Sequence, residues 1–254
     1  MNLKQKIRNK ELTLGSWLTI PHQAIVEIMA TANFDWITID IEHSAIDVES
    51  VMNIVGHIQA AGMKAFVRVY ANDEVIIKRV LDAGADGIIV PMIKSKKEAE
   101  ELVSNVYYPP KGRRGVGLSR AQKYGTGFES YQKKLEEEII IIAQIEHIDA
   151  INNLDAILEV EEIDATLVGP YDLSASMGKP GKYHLPEVKK AVELYDKVCK
   201  ANEKPMGAHV ISSDAAQTQE KIDLGYTFLA FSLDFFFLGD KAREEMEKLK
   251  NLNN

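Results

Sequence analysis

The chain has 254 residues, 46% of them hydrophobic and 27% charged, with a formal net charge of −8. These proportions suit a globular protein with a large core and exclude wholesale disorder. The acidic balance, without any basic stripe, argues against nucleic acid and anionic membrane as partners.

The first ten residues are basic, but no apolar segment follows them, and the most apolar run, residues 139–143, is too short to cross a bilayer. Cys199 is the single cysteine, so no intramolecular disulfide framework exists. A cytoplasmic protein is expected. In chain order, a short basic helix precedes strand 1, residues 12–20, and a helix over 23–31 carries Ile25, Ile28 and Met29. Strand 2 lies in Phe34-Asp35-Trp36-Ile37-Thr38-Ile39-Asp40-Ile41-Glu42-His43, an apolar run ending in three ionisable groups. Asp47 reads as the N-cap of a helix with Val51, Ile54, Val55 and Ile58 on one side, stopping at Gly62. Strand 3 covers 65–69 beside Arg68, a helix covers 73–83, and strand 4 covers 87–90 before Pro91.

A helix over 96–106 leads into the longest irregular stretch, 108–126, with Pro109, Pro110, Gly112, Gly115, Gly117 and Gly125. A loop of that length predicts a lid or binding segment. A short polar helix precedes strand 5, 139–145. A helix over 150–158 follows, then strand 6, 165–168, ended by Gly169 and Pro170. Pro186 starts a long helix to Ala201, strand 7 is 206–210, a helix covers 214–224, strand 8 is 227–233, and a charged helix over 240–249 closes the chain. Eight apolar strands alternating with helices, undivided by any linker, predict one (β/α)8 barrel over 1–254. A doubly wound open sheet is the fallback, but no Gly-x-Gly-x-x-Gly follows strand 1.

Barrel enzymes work at the C-terminal ends of their strands. Those ends offer Trp17, then Asp40, Glu42 and His43, then Arg68, then Gln144 and Glu146, then Gly169 and Asp172. The strand starts offer Lys64, Asp86, Asp164 and Lys204, which read as solvated caps. Glu146 and Asp172, on neighbouring strands, are the candidate ligands of one hard divalent cation, Mg²⁺ or Mn²⁺. His43 is the candidate base, with Asp82 able to orient it, and Arg68 is the donor for a developing oxyanion. His147 points away from the site by strand alternation, and His209, near the end of strand 7, is a candidate to reach the rim. The set fits enolate chemistry, in which a metal chelates a 2-oxo acid, a base moves a proton and Arg68 steadies the enolate.

The segments Gly15-Ser16-Trp17-Leu18, Asp40-Ile41-Glu42-His43, Val90-Pro91-Met92, Tyr108 through Gly117, Gln144-Ile145-Glu146 and Gly169-Pro170-Tyr171-Asp172-Leu173-Ser174 together resemble the HpcH/HpaI aldolase family. The resemblance implies a metal-dependent pyruvate aldolase on a phosphoenolpyruvate/pyruvate-type barrel, cleaving a 4-hydroxy-2-oxo acid to pyruvate and an aldehyde through a metal-bound enolate. By position it implies Glu146 and Asp172 as metal ligands (Mg²⁺, Mn²⁺ or Co²⁺) and His43, Asp82 and Arg68 as the catalytic set. Trp17, Gln144, Gly169 and Asp172 then line the substrate pocket. It further implies a homo-oligomer, a hexamer, with the C-terminal helix exchanged between subunits.

Tyr171, Ala208-His209-Val210 and Phe235-Phe236-Phe237 depart from the family pattern. Arg113 and Arg114 could hold an anionic substrate tail or serve as subunit contacts. An oxaloacetate decarboxylase would use the same enolate. A Schiff-base aldolase would need a lysine inside the barrel at a strand end, and Lys64, Lys94 and Lys204 are not so placed.

Overall fold

A computed structural model describes residues 1–252, and Asn253 and Asn254 of the expected domain lie outside the described residues. The apolar runs form β1 (Thr13–Leu18), β2 (Trp36–Asp40), β3 (Lys64–Arg68), β4 (Gly87–Val90), β5 (Ile140–Ile145), β6 (Ala165–Val168), β7 (Met206–Val210) and β8 (Phe228–Leu233). Each pairs in parallel with its sequence neighbours, and β1 closes on β8. The chain is therefore a closed (β/α)8 barrel.

Helix α1 (Leu3–Arg8) precedes the barrel, and α2 (Gln23–Ala30), α3 (Val48–Ala60), α4 (Glu74–Asp82) and α5 (Lys96–Val106) follow the first four strands. Then come α6 (Phe128–Glu138), α7 (Ile148–Asn152), α8 (Leu154–Leu158), α9 (Pro170–Ser176), α10 (Pro186–Ala201), α11 (Ala215–Asp223) and α12 (Asp234–Asn251). Asp47 caps α3 as expected, its Oδ1 accepting from the Ser50 N–H at 2.8 Å. The helix expected over 150–158 is divided at Asn153, and α12 starts at Asp234 rather than Asp240.

The barrel interior is filled by opposing large and small residues. Gly15, Gly87 and Gly207 lie directly across the ladder from Trp36, Phe66 and Phe228. A methyl group at Gly15 would sit 2.1 Å from the Trp36 ring, so the close approach requires glycine. The three rings pack together, Trp36 stacked on Phe228 with centroids 4.4 Å apart and Phe66 meeting both at a steep angle. Two residues further along, strand alternation turns Trp17, Arg68 and His209 inward above this aromatic layer.

At the strand starts, Asp35, Asp86 and Asp164 each accept an N–H from the first residues of the neighbouring strand: Leu14 at 2.9 Å, Ala65 at 3.1 Å and Ile141 at 2.9 Å. This corrects the reading of Asp86 and Asp164 as solvated caps, since both are buried. Asp86 is held by Lys134 and Gln59, and Asp164 by Arg8 and Lys4. Buried carboxylates with both cations and N–H donors act as register pegs between strands. Lys204, half-buried, donates to the Val160 and Ile163 carbonyls, each at 3.3 Å.

Candidate active site

The opposite rim is built from strand ends. Asp40, the last residue of β2, is buried and accepts a two-pronged bond from Arg68, Nε at 2.9 Å and Nη2 at 2.6 Å. Its Oδ1 also accepts the N–H groups of Glu42 and His43, and its carbonyl accepts from the Ser44 hydroxyl. Asp40 thus ties the β2–α3 loop to β3. The Arg68 guanidinium lies 4.2 Å from the Trp17 ring centroid and 3.2 Å from Glu42 Oε2.

Glu146 follows β5 and, by alternation, faces the same way as Gln144. It is 3% exposed; Oε1 accepts from the Met92 N–H at 2.9 Å and Oε2 from Gln144 Nε2 at 2.5 Å. Met92 has φ of 56°, a left-handed conformation uncommon for a side chain of its size, in the loop that aims its N–H at Glu146. Gly169 leaves room for this carboxylate, because a Cβ there would meet Glu146 Cβ and Oε2 at 3.0 Å. Asp172 is exposed in the first turn of α9, a helix not expected from the sequence, in which Gly169 and Pro170 read only as the end of strand 6. Proline in fact stands at a first-turn position, where it is tolerated.

Burial pushes the Glu146 carboxyl up to about 7, with the charges of Glu42 and Asp172 adding to it and the Met92 and Gln144 donors opposing. Glu42 is raised as well, by burial first, against Arg68, and further by Asp40 and Asp172. Glu42, Glu146 and Asp172 therefore repel one another across one mouth, and Arg68 is the cation that meets Asp40 and Glu42. Gln144 Oε1 is buried without a hydrogen-bond partner, and Glu42 Oε2 has only the Arg68 ion contact and a 3.8 Å approach to His43. Oxygen donors with surplus negative charge and open lone pairs fit a hard divalent cation. Among the described residues, no three His, Cys, Asp or Glu side chains converge to enclose an ion by themselves. Two carboxylates that leave positions for water and substrate are the arrangement such a cation uses with a chelating substrate.

Not every expected residue gathers here. Contacts join Trp17 to Arg68, and Arg68 to Asp40 and Glu42, on one side and Gln144 to Glu146 and Gly169 on the other, and the charges of Glu42 and Asp172 reach Glu146 across the mouth. His43 is at the rim with a largely exposed ring. Asp82 is elsewhere. It ends α4, close before β4 starts at Gly87, which puts it toward the strand-start end of the barrel. Its Oδ1 accepts from Arg114 Nη2 at 2.5 Å and Gln122 Nε2 at 3.1 Å, and no described contact joins it to His43.

Neither alternative offered for Arg114, a substrate tail or a subunit contact, fits its place: it is fully buried, bonded to Asp82 and to the Tyr131 hydroxyl. Arg113 is engaged by Asn105 and Glu101. The 108–126 stretch is pinned to the outer wall by Arg114, Arg120 and Gln122 rather than hanging over the mouth. His147 caps α7, its ring accepting from the Asp149 N–H at 3.1 Å. The parts that sequence reading left without a role are Asp40 as the anchor of Arg68 and Met92 as the donor to Glu146. Both stand inside the recognised segments, but their partners lie 28 and 54 residues away.

A closed parallel barrel with acids, an imidazole and a guanidinium gathered at its carboxyl-end rim belongs to the barrel enzymes. Comparison with known proteins is specific: residues 13–238 match the model of the HpcH/HpaI aldolase/citrate lyase family, and the chain belongs to that family. It is 34% identical over 249 residues to the hydroxypyruvate/pyruvate aldolase of Pseudomonas aeruginosa, covering 97% of this chain and 92% of that one. It is 37% identical over 238 residues to the pyruvate aldolase of Rhizobium etli, covering 93% and 92%. The crystal structure of an HpcH/HpaI aldolase/citrate lyase family protein from Burkholderia cenocepacia superposes with a TM-score of 0.92 at 29% identity, covering 98% of each chain.

Proposed function

We propose that the protein is a carbon–carbon lyase that reversibly cleaves a 4-hydroxy-2-oxo acid into pyruvate and an aldehyde, with Glu146 and Asp172 holding a divalent cation. The observation that carries this reading is the surplus of carboxylates at the mouth: Glu146 is buried with no cation beside it, Glu42 shares the single Arg68 guanidinium with Asp40, and the charges of Glu42 and Asp172 both raise the Glu146 carboxyl. Mg²⁺, Mn²⁺ or Co²⁺ bound there would act as a Lewis acid that polarises the keto group and favours the enolate.

The chain's own groups supply the rest. In the cleavage direction His43 takes the proton of the C4 hydroxyl, the C3–C4 bond breaks as the aldehyde carbonyl forms, and its electron pair becomes the C2–C3 enolate. Arg68, oriented by Asp40 and Trp17, presents N–H groups to the developing oxyanion, and protonation at C3 releases pyruvate. Trp17, Gln144 and Gly169 shape the pocket. The relatives' names support aldol cleavage over oxaloacetate decarboxylation.

The active form in this reading is a homo-oligomer, a hexamer. Leu238 and Met246 stand 66% and 52% exposed along α12, as a helix exchanged between subunits would have them in the isolated chain. Asp82, remote from His43 within the chain, then serves the His43 of a neighbouring subunit. Among the described residues no helix is long and apolar enough to cross a membrane.

The test is exchange of the pyruvate methyl protons for deuterium, followed by NMR, with an aldehyde screen and product analysis alongside. Exchange that is lost on chelation, restored by Mg²⁺, Mn²⁺ or Co²⁺, and absent in Glu146→Gln and Asp172→Asn is expected. Exchange indifferent to chelator and to both substitutions would refute the reading.

A further inference from the structure

His209, near the end of β7, is a candidate that sequence reading brought to the rim, and nothing in the chemistry above uses it. It lies on the inner face of β7, and its Nε2 is 3.2 Å from the Ser232 carbonyl oxygen. An imidazole nitrogen facing a carbonyl must carry the proton, so the ring is the Nε2–H tautomer. The Ser16 hydroxyl donates to the same carbonyl at 3.1 Å, and the Ser232 hydroxyl donates to the Ile211 carbonyl at 3.0 Å.

These bonds surround an irregularity. Gly15 pairs with Ala230 but Trp17 pairs with Leu233, so Phe231 and Ser232 share the place opposite Ser16 as a bulge. Ser232 has φ of 51°, a left-handed conformation that a residue with a Cβ keeps only when its surroundings hold it there. Donors from β1 and β7 do so.

The other side of the imidazole rests against Trp17, centroids 5.2 Å apart. Trp17 Nε1 is buried without a hydrogen-bond partner, so packing, to which the imidazole contributes, sets the angle of the indole rather than a hydrogen bond. Arg68 lies on that indole at 4.2 Å and forks onto Asp40. Burial holds His209 neutral, its pKa taken down to about 3, and the Arg68 charge acts in the same direction while the Ser232 carbonyl opposes. A neutral ring is what the place requires, because an imidazolium there would repel the guanidinium it helps to seat.

We propose that His209 is a positioning residue of the active site: its Nε2–H pins the Ser232 bulge while its ring backs Trp17, and the indole so fixed holds Arg68 toward the substrate oxygen. The inference rests on the pyruvate reading, and its test separates the two.

In the full-length protein with Mg²⁺, His209→Phe, which keeps a ring and removes the donor, is expected to slow pyruvate methyl exchange at saturation by about tenfold, with KM for pyruvate changed by less than about threefold. His209→Gln, which restores an N–H donor, is expected to recover most of the rate. In an Arg68→Ala background, His209→Phe should change the rate by less than about twofold, because its effect passes through Arg68.

A second readout needs no turnover. With 5-fluorotryptophan incorporated, the Trp17 resonance, assigned with Trp17→Phe, should move in His209→Phe and in Ser16→Ala and return in His209→Gln. Wild-type rates in His209→Phe, an undiminished effect in the Arg68→Ala background, or a Trp17 resonance unmoved in both variants would overturn the proposal. A wild-type protein without exchange would instead sink the pyruvate reading, and the fluorine spectra would still decide the role of His209.

Discussion

Subunits carrying His43→Ala and subunits carrying Asp82→Ala, each inactive alone, should regain activity when assembled together. No described contact joins the two residues within one chain. His43 follows the C-terminal end of β2 at Asp40, whereas Asp82 ends α4 just before β4 begins at Gly87. Asp82 is nonetheless built as a fixed acceptor. Oδ1 is held by Gln122 and by Arg114, a fully buried guanidinium itself bonded to Tyr131. The carboxylate borders an outer hollow of about 340 Å³ lined by Val48, Glu49, Met52, Arg79, Ala83 and Ser119. A charge immobilised at an outer surface suits a histidine arriving from another copy. With random assembly of equal amounts, a site has an intact His43 in half of the cases and an intact neighbouring Asp82 in half, so about a quarter of wild-type activity returns. Heteromers isolated through two different tags and assayed by pyruvate methyl exchange provide the measurement. Heteromers no more active than their parents, or an Asp82→Ala homomer with full activity, would refute the reasoning.

Three further outcomes are expected. Gly169→Ala places a Cβ 3.0 Å from Glu146 Cβ and Oε2 and should lower Mg²⁺-dependent exchange by about tenfold while leaving the thermal midpoint nearly unchanged; full activity would argue against the seating of Glu146 by this glycine. Asp164→Ala leaves Lys4 buried without its carboxylate and should cost about 3 kcal/mol or more in urea unfolding, with kcat nearly unaltered, since the change is remote from the mouth. His209 has a folded pKa of about 3 against an ordinary 6.5, so below pH 6.5 the unfolded chain binds a proton that the folded one refuses. Stability from this residue is present above that value and falls as pH drops toward 3, by up to about 1.4 kcal/mol per pH unit. Urea midpoints of wild type should therefore fall more steeply between pH 7 and pH 4.5 than those of His209→Phe, and parallel curves would contradict the burial of a neutral ring.

The barrel was legible because each strand is short, apolar and bounded by punctuating residues. Strands 4, 6 and 7 fall where the pattern put them, and closure follows from having eight of them. What escaped was set by partners distant in sequence. α9 was hidden because Gly169 and Pro170 look like a stop, yet Pro170 begins a helix that carries Asp172. Asp86 and Asp164 looked solvated because nothing local shows that Lys134 and Arg8 arrive to pair them. Candidate ligands at strand tips were visible from alternation alone. Asp82 was read as orienting His43 from its place late in the helix after strand 3 and again from the family resemblance, but its described partners are Arg114 and Gln122, which come from the loop 32 and 40 residues further on.

The two rims give a physical criterion for which acids do chemistry. At the strand starts, Asp86 has Lys64 and Lys134, Asp164 has Lys4 and Arg8, and both accept backbone N–H groups; these charges are neutralised by the fold and serve it. At the strand ends, Glu42 shares Arg68 with Asp40, and Glu146 accepts N–H groups from Met92 and Gln144 without a cation. Burying a carboxylate without a countercharge costs stability, and a rim that repeats the cost is retained for something other than folding. The same burial that is unfavourable for Glu146 alone strengthens its attraction for a divalent ion, so this least compensated acid is the one expected to anchor the cation, with the exposed Asp172 completing the pair from the rim.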